Sequence, residues 1–295
     1  MTRNLNSQPL ISVVLPTHNR SDLLRRAVQS VLKQSLPDLE LIVVDDASTE
    51  DIEAACDAFN DDRLRYIRRN ECGGPGAARN TGVSAATGQY IAFQDSDDEW
   101  LTDKLEQQLS FLQQHPEVVL VSCGLVRHCP THLAEFPPAV LLNEPPQETM
   151  RRFLLTFTQT WLVRTDVVHA AGGFDGRLKI WDDWDLLMRI SQQGTIAYMS
   201  SKLVVSYILE GGVGRDVTRR IHDLQQFVHM YADADRVFQS RLHYLLGRFR
   251  LLNDEYGEAR RDFVRALRLR KRNLRAWLLL MLSLTGKGIV RRVVA

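Results

Sequence analysis

Three carboxylates within four residues, Asp95-Ser96-Asp97-Asp98, are the part of the sequence best suited to hold a cation. They follow the apolar run Tyr90–Gln94, and residues two apart in an extended segment point to the same side, so Asp95 and Asp97 present their carboxylates together. Such hard oxygen ligands suit Mg²⁺ or Mn²⁺ shared with a bound diphosphate. A solvated acidic turn is the alternative, because Asp-rich turns are common.

A second acidic pair, Asp45-Asp46, follows the apolar run Glu40–Val44. A carboxylate in this position can accept hydrogen bonds from the imide or amine of a nucleobase or from ribose hydroxyls. Alternatively, Asp46 or Ser48 could cap the helix predicted to run through Ile52. Both interpretations can hold for one residue.

A glycine-rich loop, residues 73–82, leads into a predicted helix and carries Arg79. Backbone amides at a helix start favour an anion, and Arg79 adds a fixed positive charge suited to phosphate or a base carbonyl. The spacing is neither the dinucleotide fingerprint nor a P-loop, so those nucleotide-binding folds lose support. A tight turn with Arg79 on the helix surface is the alternative.

Asp182 and Asp183 lie between Trp181 and Trp184 at the start of an amphipathic pattern. Acidic residues are common in the first turn of a helix because they complement its dipole, and this explains Asp185. Two tryptophans around an aspartate pair instead indicate a platform for a sugar face beside a proton acceptor.

The elements that must position these residues are visible as apolar runs separated by helical patterns. The runs are Ile11–Leu15, Glu40–Val44, Arg65–Arg68, Tyr90–Gln94 and Val118–Cys123. This alternation predicts an α/β fold with a parallel sheet covered on both faces, in which ligands bind beyond the carboxyl ends of the strands. The polar clusters after the runs, including Pro16-Thr17-His18-Asn19, should therefore converge on one edge.

The rest of the chain divides into a proline-rich stretch and a helical tail. Residues 128–149 contain five prolines and are predicted to form an irregular loop. Amphipathic stretches at 242–252, 258–269 and 274–284 predict helices, and the last two resemble one tetratricopeptide unit. We expect domains at 1–212 and 213–295, with the tail docked on the catalytic body, a partner or a membrane.

Composition excludes disorder, collagen and disulfide scaffolds, since 44% of the 295 residues are hydrophobic and 25% charged. Residues 236–295 hold 15 basic and 4 acidic side chains, although the whole chain is only +1. Such a basic tail is suited to binding phosphate-bearing lipid or nucleic acid, or it is a solvated pair of helices.

The four cysteines lack the spacing of zinc ligands and are expected to be buried, reduced thiols. No signal peptide or spanning segment is expected.

Six segments occur in a characteristic order, namely ISVVLPTHNR, ELIVVDDAST, NECGGPGAARNTG, YIAFQDSDDEW, GGFDGRL and DDWDLLMRI. Through them the chain resembles the family 2 glycosyltransferases with a GT-A fold, whose mostly parallel sheet is flanked by helices. The resemblance implies metal-dependent, inverting transfer of a sugar from a nucleoside diphosphate sugar to an acceptor hydroxyl. No Gln-x-x-Arg-Trp motif follows, which implies a non-processive enzyme.

The resemblance also implies the roles of individual residues. Asp95 and Asp97 fall on the motif that holds Mn²⁺ or Mg²⁺ and the ribose-phosphate. Asp183 falls on the general base, with Asp182 as second candidate because the family usually has Glu-Asp there. The predicted nucleotide site comprises Pro16, Thr17, Asn19, Asp45, Asp46, Arg79, Asp95 and Ser96.

Two other functions remain as alternatives. A nucleotidyltransferase would need a glycine-rich loop with a basic residue after the first strand, and Leu15–Arg20 contains no glycine. A non-catalytic scaffold with a decayed transferase body is disfavoured because Asp95, Asp97 and Asp183 are intact.

The expected partners follow from the predicted reaction. We expect a UDP-sugar donor and a saccharide or lipid-linked acceptor in cell-surface polysaccharide or glycolipid synthesis, and no nucleic acid. The basic tail would bind an anionic membrane, or its helices would form a homodimer. We expect a cytoplasmic protein, peripheral at the inner membrane surface.

Overall fold

A computed structural model describes residues 8–128, 133–136, 157–207 and 216–284. The chain forms two compact units. The sheet unit contains Met1–Gly176 and Asp182–Leu209, and the helical unit contains Arg177–Trp181 and Glu210–Ala295. The predicted boundary between residues 212 and 213 lies outside the described residues and stays a prediction. The assignment of Arg177–Trp181 to the helical unit was not predicted.

The described part of the sheet unit contains one nine-stranded sheet, in the order β3-β2-β1-β4-β8-β6-β9-β5, with β7 paired to β6. The strands are β1 (Ile11–Thr17), β2 (Leu39–Asp45), β3 (Leu64–Arg68), β4 (Tyr90–Phe93), β5 (Glu99–Trp100), β6 (Val118–His128), β7 (Leu133–Phe136), β8 (Trp161–Arg164) and β9 (Thr195–Tyr207). All five apolar runs are therefore strands, as predicted.

Parallel pairing brings the carboxyl ends of the first strands together. Strands β3, β2, β1 and β4 are parallel, with Thr17 opposite Asp45 and Val14 opposite Phe93. Beyond β4 the sheet is mixed, because β8 is antiparallel to both β4 and β6. We predicted an irregular loop for residues 128–149. This prediction is wrong for Leu133–Phe136, which form β7 and pair antiparallel with the end of β6. The remainder of that loop lies outside the described residues.

Helices cover both faces of the sheet. They are α1 (Ser21–Leu32), α2 (Ile52–Asp57), α3 (Pro75–Ala85), α4 (Lys104–Gln114), α5 (Thr165–Ala170) and α6 (Asp182–Ile190). Because alternate strand residues point to opposite faces, Val13 packs with Leu24 and Leu105 of α1 and α4. Val14 packs on the other face with Val83 and Leu186 of α3 and α6.

The helical unit contains α7 (Val217–Met230), α8 (Arg236–Leu252), α9 (Tyr256–Leu269) and α10 (Leu274–Leu282). The three predicted amphipathic stretches correspond to α8, α9 and α10. Helices α8 and α9 approach closely at Gly247, where a Cβ would lie 2.7 Å from the Phe263 ring. Fully buried Asp262 accepts a hydrogen bond from Arg250 in the same interface.

Candidate active site

The loops after β1 and β2 are hydrogen-bonded to each other at the carboxyl edge of the sheet. His18 Nδ1 donates to the Asp46 carbonyl over 2.9 Å, and Asn19 Oδ1 accepts from the Thr49 amide over 2.8 Å. Asn19 has φ of 50°, a left-handed conformation that Asn tolerates. Pro16 and Thr17 end β1 as buried residues. Thr17 Oγ1 has no hydrogen-bond partner among the described residues.

Asp46 connects the end of β2 to the glycine loop. Its carboxylate accepts hydrogen bonds from the amides of Gly73 and Gly74, at 3.1 and 2.7 Å, and from Arg69. Cys72 Sγ lies 3.3 Å from Asp46 Oδ2. Because Asp46 points into this loop, the interpretation of Asp46 as a helix cap is wrong.

The cap of α2 is Asp51, whose Oδ1 accepts from the Ala54 amide over 3.0 Å. Ser48 is therefore not the cap either. Its hydroxyl instead accepts a hydrogen bond from the Asn19 amide.

The cysteines were predicted to be buried. This prediction is confirmed for Cys56 and Cys123 and is wrong for Cys72, which is exposed beside the glycine loop. Cys129 lies outside the described residues.

Asp45 has a different environment from Asp46. It is fully buried and accepts hydrogen bonds from the Ser48 amide, the Tyr66 hydroxyl and Arg68, at 2.9, 2.9 and 2.8 Å. Both of its oxygens are thereby used to hold the turn after β2 against β3. Asp46 is also buried, and both of its oxygens accept hydrogen bonds from the glycine loop or Arg69, so these contacts do not rank Asp45 against Asp46 for contact with a nucleotide.

Arg79 on α3 is buried between two groups of carboxylates. Its Nη2 lies 2.7 Å from Asp95 Oδ1, and its Nη1 lies 3.7 Å from Asp182 Oδ2. The guanidinium also lies over the Phe174 ring, 5.4 Å from its centroid. A surface position for Arg79 is therefore wrong. This arginine links the end of β4 to the beginning of α6.

Asp182 approaches α3 at Gly76, where a Cβ would lie 2.7 Å from Asp182 Oδ2. A side chain at position 76 would therefore displace Asp182. Asp182 is 4% exposed, and its Oδ2 has no hydrogen-bond partner among the described residues. Burial raises the pKa of Asp182, whereas the positive charge of Arg79 opposes the rise.

Asp183 is partly buried, and its Oδ1 accepts from the Trp184 amide over 2.8 Å. Burial and the charge of Asp182 raise the pKa of Asp183 to about 8, against the opposing effect of Arg79. Arg79 forms its ion pair with Asp182, which leaves the charge of Asp183 the less compensated of the two. A carboxylate with a pKa near neutral pH is suited to general-base catalysis.

Asp95, Asp97 and Asp98 differ in their surroundings. Asp95 pairs with Arg79, and Asp97 pairs with Arg20 over 2.7 Å. Burial and the charge of Asp95 raise the pKa of Asp97. Asp98 is 2% exposed and accepts from Gln159 Nε2 over 2.8 Å. Burial, with the charges of Asp95 and Asp97, raises the pKa of Asp98 to about 8.

These contacts determine which aspartates could hold a metal. Ser96 is buried between Asp95 and Asp97. In the ranges that the structure describes, no three His, Cys, Asp or Glu residues are grouped closely enough to hold a metal ion. A divalent cation at Asp95 and Asp97 would therefore need oxygens from a ligand such as a diphosphate. Asp95 and Asp97 fit that requirement, because both carboxylates are partly exposed and each forms an ion pair with an arginine.

Sequence reasoning missed residues that hold this site together. Asn80 exchanges two 2.8 Å hydrogen bonds with the backbone of Phe174. Gly173, with φ of 69°, lies so close that a Cβ would be 2.5 Å from Asn80 Oδ1. Two features of the sequence could have indicated these contacts, namely the asparagine directly after Arg79 and the two glycines directly before Phe174. Arg20 was also missed, although it directly follows Asn19 in the predicted cluster.

The tryptophan pair around the aspartates is not a symmetric platform. The Trp181 ring lies 5.9 Å from that of Phe249, and its indole N–H donates to the Arg220 carbonyl over 3.2 Å. Trp181 therefore packs within the helical unit, and the predicted sugar platform is wrong for this residue.

Comparisons with known proteins identify relatives. Residues 12–176 match glycosyl transferase family 2. The chain is 32% identical over 204 residues to the putative colanic acid biosynthesis glycosyl transferase WcaA of Escherichia coli, covering 63% of this chain and 67% of WcaA. It is 41% identical over 111 residues to the putative teichuronic acid biosynthesis glycosyltransferase TuaG of Bacillus subtilis, covering 37% of this chain and 44% of TuaG.

A third relative has a more specific name. The chain is 38% identical over 104 residues to WfaP of Escherichia coli, a UDP-Glc:alpha-D-GlcNAc-diphosphoundecaprenol beta-1,3-glucosyltransferase. This alignment covers 35% of the chain and 41% of WfaP. The chain therefore spans less than half the length of TuaG and WfaP.

Solved structures share the fold. S. aureus TarS 1-349 in complex with UDP-GlcNAc has a TM-score of 0.66 at 19% identity, covering 96% of this chain and 90% of that one. Mannosyltransferase PcManGT from Pyrobaculum calidifontis, in complex with GDP-Man and Mn²⁺, has a TM-score of 0.61 at 20% identity, covering 97% and 85%. Together with the family match over more than half of its residues, the fold and sequence show that this chain belongs to glycosyl transferase family 2 and has the GT-A fold.

Proposed function

We propose that this glycosyltransferase moves a sugar from a nucleoside diphosphate donor to an acceptor hydroxyl in one inverting displacement. The observation that carries the proposal is the position of Arg79. Its guanidinium contacts both Asp95, at the edge suited to a diphosphate, and Asp182, in the pair suited to proton transfer. A donor held on one side would therefore have its anomeric carbon near the base on the other.

The donor side is formed by the ends of β1, β2 and β4. We assign the nucleoside to Thr17 and Asp46, since Thr17 Oγ1 lacks a partner among the described residues and Asp46 holds the adjoining glycine loop through the amides of Gly73 and Gly74. Asp95 and Asp97 would hold Mn²⁺ or Mg²⁺. When bound, that ion supplies Lewis-acid stabilisation of the departing diphosphate. Arg79 adds a second, fixed positive charge there.

The acceptor side is formed by the start of α6. Asp183 takes the proton of the incoming hydroxyl, while Asp182 remains paired with Arg79. A single displacement inverts the anomeric carbon. A saccharide or lipid-linked acceptor, in polysaccharide or glycolipid synthesis, agrees with the names of WcaA, TuaG and WfaP.

A donor panel tests this function. We expect a UDP-sugar with Mn²⁺ or Mg²⁺ to raise the melting temperature, because a ligand at a hundred times its Kd stabilises the fold by about 2.7 kcal/mol. UDP is favoured because WfaP and the TarS complex carry UDP-linked sugars in their names. GDP-mannose is the comparison, since PcManGT binds it.

The same panel separates the alternatives. Pyrophosphate release from a nucleoside triphosphate would support a nucleotidyltransferase instead. Absence of stabilisation and of donor turnover with every nucleotide sugar would contradict the proposed function and favour a non-catalytic scaffold.

The raised pKa of Asp183 predicts how the reaction depends on pH. The base must be ionised to accept a proton, and its pKa is raised to about 8. Transfer at saturating donor should therefore increase as the pH rises from about 6 towards 9. Initial rates across this range measure the effect. A rate independent of pH, with chemistry shown to be the slow step, would contradict the assignment.

We also propose that α10 rests on an anionic membrane surface, where a lipid-linked acceptor would be presented. Its outer face exposes apolar side chains at helical spacing, Leu274, Trp277, Leu278 and Met281, and exposed Leu284 follows just after the helix ends. Lys271, Arg272 and Arg275 are exposed beside them. An apolar face with basic flanks is typical of interfacial helices, and each basic residue contributes about 1 kcal/mol at an anionic leaflet. No helix in the described residues is long and apolar enough to cross a bilayer.

Liposome flotation tests the membrane proposal. The full chain should float with vesicles containing anionic lipid and less so as salt rises, and Leu278→Glu should abolish flotation. Leu101→Glu is the matched control, because Leu101 is an exposed leucine in the sheet unit. Equal flotation of both variants, no binding at low salt, or a dimer that Leu278→Glu dissociates in the absence of lipid would contradict the proposal.

A further inference from the structure

Phe174 lies between the donor side and the acceptor side of the candidate site, within the sheet unit. It is 3% exposed, and its ring centroid lies 5.4 Å from the guanidinium carbon of Arg79. The same ring packs edge-on against Phe93, the last residue of β4. The Phe174 Cβ lies 3.5 Å from the place that a Cβ at Gly76 would take, beside the Asp182 carboxylate. One side chain therefore contacts the arginine and the strand that leads to the metal candidates.

The orientation of the Arg79 guanidinium depends on such contacts. Its Nη2 pairs with Asp95 at 2.7 Å, whereas its Nη1 lies 3.7 Å from Asp182, which is longer than a hydrogen bond. Its Nε is buried and has no hydrogen-bond partner among the described residues. One short ion pair alone would let the guanidinium turn about that contact. The Phe174 ring restricts this motion, because a cation is attracted to the face of an aromatic ring.

The backbone of Phe174 is held by a side chain of α3. Asn80 donates from Nδ2 to the Phe174 carbonyl and accepts at Oδ1 from the Phe174 amide, both over 2.8 Å. Both backbone groups of one residue are thus bound by one amide side chain, which fixes where the ring of that residue begins. Asn80 directly follows Arg79 on the helix, so one turn of α3 supplies both the cation and the group that holds the ring against it.

The segment before Phe174 is shaped for this contact. Helix α5 ends in a Schellman motif, in which the amides of Gly172 and Gly173 donate to carbonyls of its last turn over 2.9 and 3.2 Å. Both glycines have positive φ, 79° and 69°, which glycine adopts without steric cost. A Cβ at Gly173 would lie 2.5 Å from Asn80 Oδ1, so a side chain there would push the two segments apart. The second glycine therefore serves the contact with Asn80 as well as the end of the helix.

We propose that Asn80 is a positioning residue for sugar transfer, which acts through Phe174 on Arg79. By holding the ring against the guanidinium, Asn80 keeps a fixed positive charge aligned with the departing diphosphate. The inference rests on the proposed function, because the alignment of Arg79 affects the rate only if a diphosphate leaves at this site. A misplacement of such a group by about 1 Å can lower a rate a hundredfold.

A double-mutant cycle in the full chain tests this role. Asn80→Ala removes both hydrogen bonds to Phe174 and should lower kcat by about ten- to a hundredfold. In an Arg79→Lys background the same substitution should cost less than about twofold, because lysine is a flexible point charge without the planar group that the ring orients. Thr81→Ala is the matched control on α3. Its hydroxyl donates to the Ala77 carbonyl within the helix over 3.2 Å, and kcat of the variant should equal that of wild type.

A second variant keeps the test decisive if Asn80→Ala does not fold. Phe174→Leu leaves the backbone available to Asn80 and removes the aromatic face, so it should lower kcat by a similar factor in the wild-type background and by less than about twofold beside Arg79→Lys. If Arg79→Lys transfers too slowly to measure, Asn80→Ala is combined with Phe174→Leu instead. The pair should then cost no more than about twofold beyond the larger single loss.

The outcomes separate the inference from the proposed function. A wild-type chain without transfer to any acceptor would count against the proposed function. An active wild type in which Asn80→Ala or Phe174→Leu retains the wild-type kcat would overturn the positioning role. Equal losses in the wild-type and Arg79→Lys backgrounds would also overturn it, since they would assign the effect to the fold and not to Arg79. Melting temperatures without donor show that each variant is folded.

Discussion

Asp183→Asn is expected to bind donor as tightly as wild type and to lose transfer by at least about a hundredfold, the low end of general-base contributions. The substitution keeps the shape of the side chain and its contact with the Trp184 amide, so the start of α6 should be unchanged. It removes the only proton acceptor that we place at the acceptor hydroxyl. Product formation under donor saturation measures the loss, and a melting shift with donor measures binding.

Asp182→Asn is the matched control for this prediction. Asp182 is ion-paired with Arg79, so its amide variant should weaken the hold on Arg79 and affect donor binding more than Asp183→Asn does. If instead Asp182→Asn shows the large loss of transfer and Asp183→Asn does not, the base assignment moves by one residue.

Stability provides an independent check on the charge state of Asp183. Its pKa is raised from 3.8 to about 8, so the folded chain holds this proton more tightly than the unfolded chain. That contribution to stability is fully present below the unfolded value and is lost as the pH rises through about 8. An asparagine at position 183 does not titrate, so the variant loses no stability from this group as the pH rises. Asp183→Asn should therefore unfold at a higher temperature than wild type at high pH, with a smaller difference in acid.

The sequence was sufficient where local patterns determine the structure. The runs of β1, β2 and β4 are apolar at most positions because helices cover both sheet faces, and parallel pairing then places Thr17, Asp45 and Asp95 near one edge. The sequence could not show which groups Asp45 and Asp46 each contact. Neighbouring residues on an extended strand point to opposite sides, and only the tertiary contacts of Tyr66 and Arg68 show which side is occupied.

Long-range partners explain the other omissions. The contacts of Arg20 with Asp97 and of Asn80 with Phe174 join residues far apart in the chain, and no periodicity indicates them. The same holds for Asp223 of α7, which on the sequence is one more acidic residue in an amphipathic helix. Its buried carboxylate binds the distant backbone amides of Lys179 and Ile180, and such a contact leaves no local pattern.

Asp97→Ala is expected to lower metal-dependent donor affinity and transfer by more than about a hundredfold, since loss of residues that only support metal ligands already costs ten- to a hundredfold. The fold should remain intact, because Asp97 is partly exposed and lies beside Asp95, whose charge makes ionisation of Asp97 less favourable. Titration of a UDP-sugar with and without Mn²⁺ measures the effect. Equal affinity with and without metal, in wild type and variant alike, would contradict a metal role.

The ion pair with Arg20 provides the control that separates two causes of such a loss. If Asp97→Ala acted only by breaking the 2.7 Å contact with Arg20, then Arg20→Gln would reproduce it. If Asp97 is a metal ligand, Arg20→Gln should retain metal-dependent binding, because the carboxylate remains and loses a competing positive charge. Mn²⁺ binding to the donor-free chain, followed by electron paramagnetic resonance, should then be as strong as in wild type or stronger for Arg20→Gln and weaker for Asp97→Ala. Equal weakening in both variants would assign the loss to the ion pair and remove Asp97 from the metal site.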